Sequence, residues 1–227
     1  MRCRLCHSLS VNPLPFSVPD VAGSWFRCAV CGSDSAAHDY PAEMYSPDYE
    51  TSEVAASGGP TVREESINSN LDWFGHHHQL GDEKTFLDVG CCDGAGLRGM
   101  QSRGWSVHGF DVFVPSYMGP HVTVAPVFSR WLLPRRYAAV LCREVLEHVE
   151  CPDFLLHEIH GVSIPGGLVQ VQTPRPWHEY HPIPYQRGHL FLASPDRLRG
   201  MLAMAMLDVI EYREWDMGQA FLCRARS

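Results

Sequence analysis

The chain has 227 residues, of which 45% are hydrophobic, and its formal net charge is −8 at pH 7. This composition predicts a globular protein of one or two domains, and the acidic balance makes nucleic acid an unlikely partner. The sequence contains neither a run of 18 apolar residues nor an apolar N-terminal stretch. We therefore expect a cytoplasmic protein with no membrane span and no secretory signal.

Two cysteine pairs lie near the start of the chain, as Cys3-x2-Cys6 and Cys28-x2-Cys31. Two such turns offer four thiolates, which suits a tetrahedral zinc ion with a structural role. Two disulfides or four unrelated cysteines are the alternatives, but a reducing compartment favours zinc. We predict a zinc-ribbon module over residues 1–40 with all four cysteines as metal ligands.

Residues 41–83 are predicted to form a linker or flap, followed by a leading helix in INSNLDWFGHHHQLG. From residue 84 the pattern alternates between strands and helices, which predicts an α/β, Rossmann-like sheet of seven strands over residues 84–227. The predicted strands are TFLDVG, SVHGFDVF, HVTVAPV, RRYAAVLCREV, LVQVQTP, LDVIEYREW and QAFLCRARS. The predicted helices are AGLRGMQSRGW, CPDFLLHEIHGVS and SPDRLRGMLAMAM.

Three local signals refine this pattern. Pro152 is expected in the first turn of its helix, with Phe154, Leu155 and Ile159 sharing one face. Ser194 is expected to cap the next helix. The sequence PGG at 165–167 is expected to form a turn.

The first predicted strand of the sheet leads into the glycine-rich string Gly90-x-Cys92-x-Gly94-x-Gly96. This spacing is a poor match to a dinucleotide-binding loop, and no Gly-Lys-Ser/Thr follows, which excludes a P-loop. A cofactor with an adenosine but no phosphate is the remaining option. A cysteine at position 92 costs little as long as its φ angle stays negative.

The strings LDVGCCDGAG, VHGFDV and YAAVLCREVLEHVECPDFLLHEIHGVSIPGGLVQVQTP resemble class I S-adenosylmethionine-dependent methyltransferases, over roughly residues 84–227. The resemblance implies that Asp88 orients the cofactor's amino group and that Asp111 accepts hydrogen bonds from both ribose hydroxyls. The adenine ring is then expected to contact backbone groups or the side chains of Phe128 and Trp131. The whole implied S-adenosylmethionine site comprises Asp88, Gly90, Cys91, Gly94, Asp111, Cys142 and Arg143.

The chemistry is expected after the fourth and fifth strands of this domain. The motif Glu144-x-x-Glu147-His148 has three interpretations. It is a divalent-metal site in relatives that resemble quinone-biosynthesis O-methyltransferases. Otherwise it is a structural turn, or it supplies His148 as general base assisted by Glu147. The long segment after the fifth strand faces the acceptor in this fold. Its base or binding candidates are His178, His181, Tyr185 and His189, with His181 selected as catalytic.

The sequence-based prediction is an enzyme that transfers a methyl group from S-adenosylmethionine to an oxygen of a sugar, a glycan precursor or another small metabolite. By the same resemblance, Tyr45 or Tyr49 is placed over the cofactor. One alternative is an RNA or protein methyltransferase that uses the zinc module for recognition. Another is a non-catalytic scaffold built on the same fold.

Overall fold

The structure is a computed structural model, and it describes residues 1–14, 25–37, 60–78, 83–112, 121–176, 185 and 188–227. Within these ranges, no helix has both the length and the apolar character needed to cross a membrane. Four α-helices and eleven strands are described, together with 3-10 turns at Arg130–Leu132 and Leu146–His148.

The helices are α1 (Pro60–His77), α2 (Ala95–Ser102), α3 (Pro152–Val162) and α4 (Pro195–Met204). The first four strands are β1 (Val11–Pro13), β2 (Trp25–Cys28), β3 (Asp34–Ala36) and β4 (Thr85–Val89). They are followed by β5 (Ser106–Asp111), β6 (Val122–Val124), β7 (Tyr137–Arg143) and β8 (Ser163–Pro174). The last strands are β9 (Phe191–Leu192), β10 (Leu207–Trp215) and β11 (Gly218–Ala225).

The predicted seven-stranded α/β sheet is confirmed, with the strand order β10-β11-β8-β7-β4-β5-β6. The five strands from β6 to β8 are parallel, whereas β11 is antiparallel to both β8 and β10. The hydrophobic core lies on both faces of this sheet. Phe86 packs with α1 and α2, and its neighbour Leu87 packs with α3 and α4, as alternation along a strand requires.

Two local predictions about helix starts agree with the structure. Pro152 occupies the first turn of α3, and the Ser194 hydroxyl accepts a hydrogen bond from Arg197 N–H at the start of α4. Two other local predictions are wrong. Residues 165–167 lie inside β8, where Gly166 absorbs an irregular backbone with a φ of 78°. Phe154 is 51% exposed, because it lies off the buried face that Leu155 and Ile159 share.

The second sheet joins the N-terminal segment to the C-terminal half, in the order β1-β2-β3-β9. Strand β9 is only two residues long, and it pairs with β3 through Ser35 opposite Phe191 and Asp34 opposite Leu192. This pairing was not predicted, because two residues carry no alternation that a sequence pattern can reveal. The cysteine-rich segment is therefore part of the main body of the molecule.

Candidate functional site

The carboxyl ends of β4, β5, β7 and β8 lie along one edge of the large sheet. The chain runs from β4 outwards through β5 to β6, and then returns to place β7 on the other side of β4. Such a reversal of strand order opens a crevice beyond the carboxyl ends, where ligands of doubly wound sheets bind. Asp88 and Asp111 are buried at this edge, with 5% and 4% exposure.

The loop after β4 has a left-handed backbone at several positions. The φ angle is 76° at Gly90 and 74° at Gly94, the residue before α2. Cys92 lies between them with a φ of 47°, so it does not meet the condition of a negative angle. A side chain in this region costs roughly 1–2 kcal/mol, which identifies Cys92 as a locally strained residue.

Asp111 holds this loop from the neighbouring strand. Its carboxylate oxygens accept hydrogen bonds from the backbone N–H groups of Cys92 and Val112, each at 2.8 Å. The Cys91 side chain is 2% exposed and packs in the core beside α2, and burial raises the pKa of its thiol. Only the backbone of Cys91 is therefore available to a ligand in the crevice.

Gly96 was not selected from the sequence as a site residue, although it supports the position of Asp88. A Cβ atom at Gly96 would lie 2.2 Å from Asp88 Oδ2, closer than any real contact. Glycine thus allows the Asp88 carboxylate to rest against the first turn of α2. The signal was present in the sequence, since Gly96 is the last glycine of the string.

Cys142 and Arg143 end β7, next to β4. Cys142 is fully buried, and burial raises the pKa of its thiol. The Arg143 guanidinium donates to the Ser66 hydroxyl of α1 at 3.3 Å, so it links the sheet edge to that helix. Phe128 is buried against Phe110, with ring centroids 4.9 Å apart, whereas Trp131 is 82% exposed.

A buried polar cluster follows β7 and consists of Glu147, His148 and His189. Glu147 Oε1 lies 4.0 Å from His148 Nε2 and 3.9 Å from His189 Nε2, and the three ligating atoms fall within 4.8 Å of one another. Thr173 donates a hydrogen bond to Glu147 Oε2 at 2.9 Å. Glu147 Oε1 is buried, and no hydrogen bond reaches it from the described residues.

The tautomer of His148 follows from its backbone partner. Its Nδ1 lies 3.0 Å from the carbonyl oxygen of Gly188, which can only accept, so Nδ1 carries the proton and Nε2 the lone pair. Burial, and then His189, lower the pKa of His148 to about 3. Burial, and then Glu144, raise the pKa of Glu147 well above its usual value. Burial therefore favours the neutral form of both Glu147 and His148.

The low pKa of His148 predicts a loss of stability in mild acid. In the unfolded chain its pKa is about 6.5. Unfolding therefore takes up a proton as the pH falls from about 6.5 towards about 3, and this contribution to stability is lost across that window. His148→Asn, whose amide N–H can replace Nδ1–H, should reduce the slope of unfolding free energy between pH 5 and 6.5 by up to about 1.4 kcal/mol per pH unit.

Urea unfolding monitored by circular dichroism at each pH measures this slope. The matched control is His7→Asn, because His7 is exposed and should leave the slope unchanged. Equal slopes in the wild type and in His148→Asn would show that His148 does not bind its proton on unfolding.

The four N-terminal cysteines converge on one point. Cys3 Sγ lies 3.6 Å from Cys31 Sγ, Cys6 Sγ lies 3.5 Å from Cys28 Sγ, and all four sulfurs fall within 4.8 Å of one another. A disulfide requires about 2.05 Å, which these pairs exceed. A zinc ion with bonds of about 2.3 Å to four thiolates needs sulfurs about 3.8 Å apart. The donor set therefore fits a tetrahedral metal.

Several predicted residues lie outside the described part of the chain, namely His178, His181, Tyr45 and Tyr49. Glu144 accepts a hydrogen bond from Gln172 Nε2 at 2.9 Å, and its carboxylate also acts on Glu147, whose pKa it helps to raise. Tyr185 is fully buried and donates to Asp34 Oδ2 at 2.7 Å, so its hydroxyl is not available to a substrate. His189 joins Glu147 and His148 as the third residue of the cluster, although the E-x-x-E-H spacing selects Glu144 for that role.

A family model described as a methyltransferase domain matches residues 63–212. The chain belongs to the methyltransferase domain family. The matched region begins within α1 and ends in β10, so it contains the crevice and the Glu147–His148–His189 cluster. The described cysteine cluster precedes it.

Two bacterial relatives share about a third of their aligned residues with this methyltransferase-family chain. A ubiquinone biosynthesis O-methyltransferase of Azoarcus sp. (strain BH72) is 31% identical over 116 residues, which covers 45% of this chain and 49% of that protein. Its counterpart in Azotobacter vinelandii is 31% identical over 117 residues, which again covers 45% of this chain and 49% of that protein. The chain therefore spans about half the length of these relatives.

Solved structures show the same fold at low sequence identity. A SAM-dependent methyltransferase from Archaeoglobus fulgidus has a TM-score of 0.61 and 14% identity, over 78% of this chain and 100% of that one. Burkholderia thailandensis 1,6-didemethyltoxoflavin-N1-methyltransferase, with S-adenosylhomocysteine bound, has a TM-score of 0.59 and 15% identity, over 95% of this chain and 100% of that one. The large sheet is thus a Rossmann-like methyltransferase sheet.

Proposed function

We propose that this protein transfers a methyl group from S-adenosylmethionine to an oxygen of a small acceptor molecule. The observation that carries the proposal is the crevice beyond the carboxyl ends of β4, β5 and β7. There a loop with left-handed glycines at 90 and 94 faces two buried carboxylates, Asp88 and Asp111. The glycines let the backbone approach a ligand closely, and the carboxylates accept hydrogen bonds from it. Since the sequence has no phosphate-binding loop, this site suits an adenosine cofactor that carries an amino acid.

The residues of the crevice have distinct roles in this proposal. The backbone of Gly90, Cys91 and Gly94 approaches the methionine part, and Asp88 receives its amino group. Asp111 receives the ribose hydroxyls, in addition to the hydrogen bonds that it accepts from Cys92 and Val112. Cys142 forms the floor, and Arg143 borders the crevice beside α1.

The reaction is an in-line displacement. A lone pair of the acceptor oxygen forms a bond to the methyl carbon while the carbon–sulfur bond breaks, which leaves S-adenosylhomocysteine. The acceptor hydroxyl loses its proton to a base or to solvent, and the product is a methyl ether. The protein contributes chiefly by holding both reactants in line, which converts an encounter in solution into a unimolecular step.

The kinship with ubiquinone biosynthesis O-methyltransferases supports oxygen as the methylated atom and a small molecule as the acceptor. We infer the acceptor class to be a sugar, a glycan precursor or another small metabolite. The formal charge of −8 counts against RNA as the acceptor.

Calorimetric titration of the purified protein with S-adenosylmethionine and S-adenosylhomocysteine tests the proposal. We expect micromolar affinity for both, and then conversion of labelled S-adenosylmethionine when hydroxyl-bearing sugars and phenols are screened as acceptors. A folded protein that binds neither ligand would instead be a scaffold built on the methyltransferase fold.

The cluster of Glu147, His148 and His189 favours a divalent cation near the acceptor. The lone pair of His148 Nε2 and the unsatisfied Glu147 Oε1 point to one small volume, which is the donor chemistry of a transition-metal site. With a pKa of about 3, His148 alone is a weak base at neutral pH. When bound, a cation there would supply charge that makes the acceptor hydroxyl more acidic.

Replacement of Glu147 by Gln should weaken binding of Co²⁺ at this cluster about tenfold or more, because a charged ligand becomes neutral. Visible absorption of the titrated Co²⁺ measures binding, with the ribbon already loaded with zinc. Glu150→Gln is the matched control, since Glu150 is exposed and is not one of the three residues of the cluster. Equal Co²⁺ affinity in both variants and the wild type would mean that Glu147 is not a ligand.

We further infer that Cys3, Cys6, Cys28 and Cys31 hold structural zinc. A thiolate set with no open position supplies folding energy and no catalysis. We also propose three parts of the chain: a module over residues 1–40, a linker with α1 over 41–83, and a catalytic domain over 84–227. Strand β9 belongs to the catalytic domain but pairs with β3 of the module.

A further inference from the structure

The cysteine-rich segment lies directly behind the segment that carries His189. Strand β3 follows Cys31 by three residues, and it pairs with β9, which begins two residues after His189. The pairing is extended by a hydrogen bond from Ala36 N–H to Leu190 O at 3.0 Å. The same Leu190 donates its N–H to Glu147 O at 2.8 Å, so one residue links the cysteine-rich segment to the polar cluster.

A buried charged network joins the two segments a second time. Asp34 is fully buried, and both of its oxygens accept hydrogen bonds at 2.8 Å from the Arg27 guanidinium. Tyr185 adds a third bond to Asp34 Oδ2 at 2.7 Å, and its ring packs edge-on against Trp25 at 5.0 Å. A buried carboxylate with this many donors fixes the geometry of every group that contacts it.

A third set of bonds fixes the far end of the same segment. Ser194 N–H donates to the Ser33 hydroxyl at 2.9 Å, and the Ser194 hydroxyl donates to Cys31 O at 2.5 Å. The Arg197 guanidinium donates to Leu5 O. Residues on both sides of His189 are therefore attached to the loops that bear the four cysteines.

We propose that Asp34 and Tyr185 are positioning residues, through which the metal-bound ribbon holds His189 and the Gly188 carbonyl in place beside His148 and Glu147. The metal joins the two cysteine turns, and β3 and Asp34 transmit that rigidity to Tyr185 and to residues 188–194. The acceptor-side cluster thus depends on the ribbon, whereas the S-adenosylmethionine crevice, built from β4, β5 and α2, does not. This inference rests on the proposed function for its catalytic meaning.

The test compares Tyr185→Phe with Tyr212→Phe. Each change removes one hydroxyl that donates to a carboxylate at 2.7 Å, but the Tyr212 pair with Glu214 is exposed on β10. In zinc-loaded protein, amide hydrogen exchange is measured at Ala36 and Leu190. The nitrogen NMR spectrum of the imidazole rings reports the tautomers of His148 and His189 in the folded state. A loss of stability alone would leave these tautomers unchanged.

We expect Tyr185→Phe to speed exchange at Ala36 and Leu190 by about 10- to 100-fold, as the loss of a buried bond to a charged group predicts. We expect the His148 signal to lose its single Nδ1–H form. Cys6→Ser should produce the same changes, and Tyr212→Phe should produce none. Unchanged exchange and unchanged imidazole signals in folded Tyr185→Phe would overturn the inference.

Titration with S-adenosylhomocysteine separates this inference from the proposed function. Tyr185→Phe should bind it within about threefold of the wild type, since the crevice has its own supports. If the wild type fails to bind, the proposed function fails, while the exchange and imidazole results still decide whether the ribbon positions His189. A matching loss of S-adenosylhomocysteine affinity in Tyr185→Phe would contradict the stated independence of the two sites.

Discussion

Replacement of Asp111 by Asn should weaken S-adenosylmethionine binding by about 30- to 150-fold. The carboxylate lies at the end of β5 and is 4% exposed, so hydrogen bonds to ribose hydroxyls there are charge-assisted and shielded from water. Loss of the charge across two such bonds costs roughly 2–3 kcal/mol, which corresponds to that change in affinity. Calorimetric titration of the variant measures it directly.

Asparagine is chosen because its carbonyl oxygen can still accept one of the backbone bonds that Asp111 receives from Cys92 and Val112. The variant should therefore remain folded, as circular dichroism can verify. Asp216→Asn is the matched control, because Asp216 is exposed in the turn between β10 and β11. Wild-type affinity in Asp111→Asn would place the cofactor's ribose elsewhere.

The large sheet was predictable because its signals are local and repeated. Apolar strands alternate with short amphipathic helices, and Pro152 and Ser194 mark where two of the helices begin. The glycine string and Asp111 follow their strands directly, so topology alone brings them to one edge of the sheet. The turn predicted at 165–167 is instead an irregularity within β8, because the strand pairs with β7 on both sides of it, at Ser163 and at Leu168.

The acceptor side was less predictable, because its geometry depends on contacts between distant parts of the chain. His189 meets Glu147 across 42 positions, and Tyr185 meets Asp34 across 151. No spacing rule selects such partners, and a sequence pattern places Glu144 with Glu147 only because they are neighbours. Gln172, which donates a hydrogen bond to Glu144, is also a distant partner, because β8 lies next to β7 only in the folded sheet.

Replacement of Cys6 by Ser should abolish metal binding at the ribbon and lower the melting temperature by about 10 °C. A serine hydroxyl is a poor zinc ligand at neutral pH, and zinc binding to such sites is coupled to folding. The lost ribbon takes with it the buried contacts of Leu5 and the pairing of β3 with β9. A loss of about 4 kcal/mol shifts the melting temperature of a chain this long by about 10 °C.

Zinc content by atomic absorption and thermal unfolding by circular dichroism measure the two effects. Cys151→Ser is the control, because Cys151 is an exposed free cysteine outside the cluster and should keep one zinc per chain and the wild-type melting temperature. One zinc per chain in Cys6→Ser would exclude the four-cysteine site. A melting temperature that falls in Cys6→Ser, with no zinc found in the wild type, would instead assign the stability to thiol packing. Since the ribbon supplies β3 as the partner of β9, we expect the loss of zinc and the fall in melting temperature to occur together in Cys6→Ser.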